Sequence, residues 1–195
     1  ARVWEMNQTP GIDITNGKGC NIDVWTRDNV VMRITPRYNP AVNDYWMPDF
    51  GREDIRRMNE NRISKPHITL EGDRIKSSWT NAEMTMTEKL QSVKPDEILF
   101  LGSAFASVED NYVLQKHLKA AGVEEGFFTP NIKKGSGDGF LIDDDQYPNT
   151  NGCRLLGLNE LDAKAMRKKV QDDSIKMVIA LEDDLISRNI IEADD

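Results

Sequence analysis

The 195-residue sequence predicts a mixed α/β fold, with a small β-rich unit over residues 1–78 and part of a Rossmann-like parallel α/β layer over 79–195. Three observations predict it. Paired β-rich runs joined by turn-forming residues fill the first part. Two short apolar runs in the second part, at 97–101 and 176–181, have the character of strands buried on both faces. Between those runs lies helical spacing that opens with capping residues.

Taken in order, residues 1–19 are polar and broken by Pro10, Gly11, Gly17 and Gly19, and they predict an extended lead-in with tight turns. From Asn21 the residues Ile22 and Val24, then Val30, Val31, Met32 and Ile34, make two strands about Arg27-Asp28-Asn29. Asp and Asn tolerate the left-handed conformation that a hairpin turn needs. A second hairpin is predicted from His67–Leu70 and Arg74–Ser77 around Glu71-Gly72-Asp73, with irregular chain over 36–66. Thr80–Gln91 has helical spacing (Ala82, Met86, Leu90), with Ser78 or Thr80 as N-cap and Pro95 beyond its end. A buried strand over Glu97–Leu101 follows, closed by Gly102. Ser107-Val-Glu-Asp then starts a helix with Tyr112, Leu114, Leu118 and Ala121 inward and Gly122 at its C-terminal cap. Residues 129–157 read as loop, Asn159–Val170 as a helix with Leu161, Ala165 and Met166 inward, and Lys176–Leu181 as a strand. Only two or three strands of the parallel layer are visible in this way.

Composition narrows the function classes. Hydrophobic residues make up 38% and charged residues 30%, which suits a solvated globular chain with a core. No apolar run of about 18 residues is present, so no membrane-spanning helix is expected. A net charge of −8 repels phosphate backbones and disfavours nucleic acid as a partner. The two cysteines, Cys20 and Cys153, make no disulfide framework and fit a reducing compartment. The start at Ala-Arg-Val-Trp and the end at Glu-Ala-Asp-Asp suggest an internal segment of a longer protein.

The stretch Gly19-Cys-Asn-Ile-Asp-Val-Trp-Thr-Arg-Asp-Asn-Val-Val-Met-Arg-Ile-Thr-Pro-Arg37, with Asn43-Asp-Tyr-Trp-Met-Pro-Asp-Phe-Gly-Arg52, resembles the cluster-binding opening of molybdopterin-type oxidoreductases. It is most similar to the large iron–sulfur subunit of respiratory NADH:quinone oxidoreductase, complex I. Gly102–Lys116, Phe140-Leu-Ile-Asp143, Pro148–Gly152 and Leu155-Leu-Gly157 resemble later stretches of that family in the same order. The resemblance implies a layer of the molybdopterin-oxidoreductase type after Trp79. In cluster-bearing members the opening holds C-x2-C-x3-C and a fourth Cys before Asp-x-Gly-Arg. Aligned on Cys20, those positions carry Asp13, Asn16, Cys20 and Pro48. A [4Fe–4S] cubane takes four thiolates. The expectation is therefore a degenerate motif and no cofactor in this chain, with clusters elsewhere in the parent subunit.

Other candidates have a bland alternative beside them. Gly135-Ser-Gly-Asp-Gly139 looks like a phosphate-cradling loop, but the Phe140-Leu-Ile that follows looks extended where a helix is required. Gly102-Ser103 sits between a strand and a helix start, where amides can receive an anion, or it is a structural turn. Asp143-Asp144-Asp145 lacks the spacing of a calcium loop. His67 and His117 have no ligand partner at metal spacing, and neither cysteine has a sequence sign of activation. Tyr38, Tyr45, Trp46 and Phe50, with Arg37, Arg52, Arg56 and Arg57, either form a partner surface or fill the space of a lost cluster.

No catalytic, cofactor-binding or metal-binding residue is therefore assigned, and the chain alone is not expected to catalyse a reaction. The resemblance implies a structural domain of the complex I peripheral arm, supporting electron transfer from NADH to quinone. Its partners would be other subunits of the complex and the rest of its own subunit. It would lie on the cytoplasmic side of a bacterial inner membrane or the matrix side of a mitochondrial one. The alternative is part of another molybdopterin-type enzyme, formate dehydrogenase-like or hydrogenase-associated, that contributes cofactor contacts.

Overall fold

A computed structural model describes residues 2–60 and 62–187. Its first layer is an antiparallel sheet of β1 (Asn7–Ile12), β2 (Asn21–Arg27) and β3 (Val30–Pro36), in the order β1-β2-β3. Asp28 and Asn29 both have positive φ, 52° and 62°, so they close the predicted two-residue turn. The extended lead-in with its tight turn is present, and part of it pairs as the first strand. Pro10 and Gly11 lie within β1, which is an edge strand, where a missing N–H need not break the ladder. Two short helices, α1 (Asp49–Glu53) and α2 (Ile55–Asn59), correct the irregular reading of 36–66 and pack against β3. Cys20, Ile22, Ile34 and Met47 form the small buried core beneath them.

The hairpin of β4 (His67–Leu70) and β5 (Asp73–Lys76) turns at Glu71-Gly72, both at positive φ. Helix α3 (Trp79–Ser92) follows, and the Ser78 hydroxyl accepts from Asn81 N, as the N-cap reading expects. Of the three residues predicted inward, Leu90 packs on the main core whereas Met86 is exposed.

The second layer is a four-stranded parallel sheet in the order β8-β7-β6-β9. It comprises β6 (Ile98–Leu101), β7 (Gly126–Phe128), β8 (Asn159–Glu160) and β9 (Met177–Ala180). Numbered within the sheet this order is 3-2-1-4, the order of one half of a doubly wound fold. Its helices are α4 (Val108–Ala120), α5 (Thr150–Leu155) and α6 (Ala163–Val170). Ser107 caps α4, and Gly122 ends it at φ 90°. The helix turns Leu118 and Leu114 inward as predicted, with Asn111 and Gln115 beside them, while Tyr112 and Ala121 are exposed, which corrects those two positions. Helix α6 starts at Ala163 under an Asp162 cap, since Asn159 and Glu160 belong to the sheet. Within 129–157, where loop is expected, α5 buries Cys153. Two apolar cores cover the faces of the sheet, one around Phe100, Leu118 and Phe128 and one around Leu99, Leu101 and Met166.

Candidate functional site

The turn from β1 to β2 carries the first three positions singled out in the sequence. The pairing Ile12↔Asn21 extends by one further bond, from Asp13 N to Cys20 O at 2.8 Å. Residues directly opposite in an antiparallel pair project to one face. Asp13 therefore shares the inner face with Cys20, over the small core. Asp13, Asn16 and Cys20 are 3%, 1% and 0% exposed. Asp13 Oδ1 accepts from Thr15 N and Thr15 Oγ1, and Asn16 Oδ1 accepts from Lys18 N, so the side chains hold the turn itself. Asp13 Oδ2 and Asn16 Nδ2 are left without a protein partner.

The fourth position also arrives here. Pro48 is the buried N-cap of α1, and a Cβ on Gly51 one turn later would lie 2.7 Å from Asp13 Cγ. Only a residue without a side chain lets α1 approach that carboxylate. Burial first, and then the neighbouring Asp13 carboxylate, push the Cys20 thiol up, while Lys18 pulls it down. The protonated thiol is the form this setting favours.

The aromatic residues do not fill the site. Tyr38 and Tyr45 stack at 4.4 Å and, with Trp46 and Phe50, face solvent; Met47 and Pro48 are the residues turned inward. Asn43, 3% exposed, shapes this surface by receiving Asn21 N and donating to the carbonyls of Trp46, Asn21 and Arg37. Nothing in the sequence pattern singled out Asn43, because a polar residue between aromatics reads as loop. Among the arginines, Arg57 is gripped by Asp54 and lies over the Phe105 ring, while Arg37 approaches Asp23 and Arg52 approaches Asp49.

The other candidates resolve into structure. The amides of Gly135 and Gly137 donate to the Asp144 carboxylate at 3.0 and 2.7 Å, so the glycine loop already holds an anion of its own. Phe140-Leu-Ile is not extended as expected, because its three amides converge on Asp138 Oδ1. At the end of β6, Ser103 N donates to Asn111 Oδ1, and Ser103 Oγ donates to Glu182 O. That is a structural turn, and Asn111 is a second buried amide that the helical pattern did not reveal. Asp143 and Asp145 accept backbone amides within their own loop. His67 opens β4 and His117 lies in the last turn of α4. Among the described residues, no three His, Cys, Asp or Glu side chains come together to hold a metal ion. Burial alone pushes the Cys153 thiol up to about 11. No helix among the described residues is long and apolar enough to cross a membrane.

Residues 6–55 match the family model of the NADH-ubiquinone oxidoreductase NDSU1/NuoG-like 4Fe-4S domain. The resemblance read from the sequence is thus borne out. The chain is 34% identical over 122 residues to the G subunit of NADH-quinone oxidoreductase from Rickettsia conorii, covering 63% of this chain and 18% of that protein. It is 30% identical over 132 residues to the mitochondrial NADH dehydrogenase [ubiquinone] iron-sulfur protein 1 of Solanum tuberosum, 67% of this chain and 18% of that one. The mitochondrial 78 kDa subunit of NADH-ubiquinone oxidoreductase from Neurospora crassa is 37% identical over 95 residues, 49% of this chain and 13% of its own. The chain thus spans less than a fifth of the length of these relatives.

The family match overturns the expectation of no cofactor in this chain, with clusters only elsewhere in the parent subunit. The 4Fe-4S domain model matches within residues 6–55, so the segment that corresponds to the iron–sulfur region of NuoG-like proteins lies inside the chain. The donors in it differ from a four-thiolate set: Cys20 supplies one sulfur, Asp13 a carboxylate and Asn16 an amide, and Pro48 has no donor atom. In this respect the residues present do not fit a cubane bound by four cysteines.

Proposed function

We propose that this chain is a structural part of the large iron–sulfur subunit of an NADH:quinone oxidoreductase. It packs in the peripheral arm against other subunits and the remainder of its own, and it supports electron transfer from NADH to quinone. The observation that carries this is the 122-residue match to the Rickettsia conorii protein, which is longer than the 6–55 domain and so reaches past it. In this reading residues 1–78 are the iron–sulfur-type unit, and residues 79–195 are part of a molybdopterin-oxidoreductase-like layer. The 3-2-1-4 strand order supports the second assignment. No side chain of the chain is given a catalytic role, since the reaction belongs to the whole complex. The outward aromatics suit an interface, which in protein complexes is enriched in Tyr, Trp and Arg.

Affinity-tagging the native protein in its own cell tests this. The tagged protein is expected to be recovered with other NADH dehydrogenase subunits and with NADH:quinone reductase activity. Recovery alone, with the activity elsewhere, overturns the reading. Replacing Tyr45 and Trp46 by Ala together is expected to lower recovery of the complex without lowering the amount of folded protein. Iron and sulfide analysis of that preparation beside one carrying Cys20→Ser, with electron paramagnetic resonance, reads by difference what the Asp13, Asn16 and Cys20 donor set holds.

A further inference from the structure

The turn holding Asp13, Asn16 and Cys20 is closed from the other half of the chain. Residues 133–147, which connect β7 to α5, cross over it. Asp143 N donates to Asn16 Oδ1 at 3.3 Å, and Gly17 N donates to Asp145 O at 2.7 Å. Leu141 packs against the core that contains Cys20, Ile22, Ile34 and Met47. A Cβ on Gly17 would lie 3.0 Å from Asp145 Cβ, so the two segments touch backbone to backbone. Asp138 is near enough for its charge to act on Cys20.

The crossing segment is stiff within itself. Asp138 Oδ1 gathers the amides of Phe140, Leu141 and Ile142, and Asp144 gathers those of Gly135 and Gly137. Lys133 N donates to Asp144 O, Asp138 N to Ile142 O, and Ser136 N to Lys133 O. Gln146 Nε2 also donates to the carbonyls of Asp143 and Asp144. Against this internal set stand the two hydrogen bonds and the Leu141 contact that tie it to the β1–β2 turn. Tyr147, at the C-terminal end of the segment, is anchored on the main core and against Phe105, so a body with many internal bonds swings about that end as a unit when it opens.

We infer that residues 133–147 form a hinged strap over the β1–β2 turn, and that lifting this strap is the route by which solvent and thiol-reactive molecules reach Cys20. Asn16, whose Oδ1 receives the strap's Asp143 N, also has a buried, unpartnered Nδ2, which opening would hydrate. This inference stands on contacts within the chain and is independent of the function proposed above.

The test is native-state alkylation of the full chain with iodoacetamide, with each cysteine quantified by mass spectrometry. Cys153, also fully buried but in the core of the α/β layer, reports global unfolding in the same sample. Leu141→Ala removes the apolar contact, and Gly17→Ala pushes against Asp145 and so forces the segments apart without altering any residue of the strap. Both are expected to speed Cys20 labelling about tenfold or more while leaving Cys153 at its wild-type rate, as local opening requires. Labelling of Cys20 at the wild-type rate in both variants overturns the inference. So does a rise of the two cysteines in step, which means the chain opens only as a whole.

Discussion

The meeting of Asp13 with Gly51 shows how closely the β1–β2 turn and α1 are fitted. A carboxylate occupies the volume a Cβ would need, and its second oxygen has no protein partner. Gly51→Ala is therefore expected to lower stability by about 1–3 kcal/mol, the usual cost of overpacking. The loss should be strongly non-additive with Asp13→Ala, which vacates the same space. In the double variant the two effects should couple by at least about 0.5 kcal/mol, as contacting residues do. Denaturant midpoints of the four proteins measure this, and simple additivity would show that Gly51 is not chosen by the carboxylate. At this scale much was legible in the sequence. Asp28-Asn29, Glu71-Gly72, the Ser78 and Ser107 caps and Gly122 all sit where their conformational preferences place them. Asn43 and Asn111 were not legible, because a buried amide satisfied by distant carbonyls leaves no local pattern.

Among the elements, strength of periodicity decided what could be foreseen. The strands β2, β3, β6 and β9 declare themselves by apolar content, whereas β7 has three residues and β8 two, too short to carry a period. Strand β1 was hidden by its Pro and Gly, which an edge position tolerates. The strap was hidden for another reason: its order comes from carboxylates rather than from apolar spacing. The backbone amides that converge on Asp138 and Asp144 lower the pKa of both below the usual 3.8, Asp138 chiefly through Ile142 and Phe140, Asp144 chiefly through Gly137 and Gly135. A folded value below the unfolded one means the contribution is complete above the ordinary carboxylate range and is lost as pH falls through the lowered value. Acidification is expected to release the strap while the apolar-cored sheet remains folded. The amide proton shifts of Phe140, Leu141 and Ile142 should titrate with the lowered value, and Asp138→Asn should abolish that step. If those amides shift only together with the amides of α4, the carboxylates do not hold the strap separately.

The whole molecule joins two cores of unequal size. The antiparallel sheet rests on four buried apolar residues, whereas the parallel sheet is covered by one cluster of eight and another of five. The hydrophobic contribution scales with buried apolar area, so the first core is the weaker. Among the contacts that tie them are the strap, which also holds the Asp13–Cys20 turn, and the Arg57 guanidinium over Phe105. Unfolding is therefore expected to depart from two-state behaviour, with the antiparallel sheet melting first. The tryptophans make this measurable. All four lie at or before residue 79, and Trp4, Trp46 and Trp79 are already exposed, so a fluorescence change reports mainly Trp25. Trp25 is held in the sheet by its indole N–H on Thr35 Oγ1 and by Arg33 over its ring. Far-ultraviolet circular dichroism is weighted instead toward α3, α4 and α6, the longest helices. In urea the fluorescence transition should precede the helical one, and Leu141→Ala should widen the gap by weakening the tie between the halves. Coincident curves with the same midpoint in both proteins would mean the two cores fold as one, and that the small core draws its stability directly from the large one.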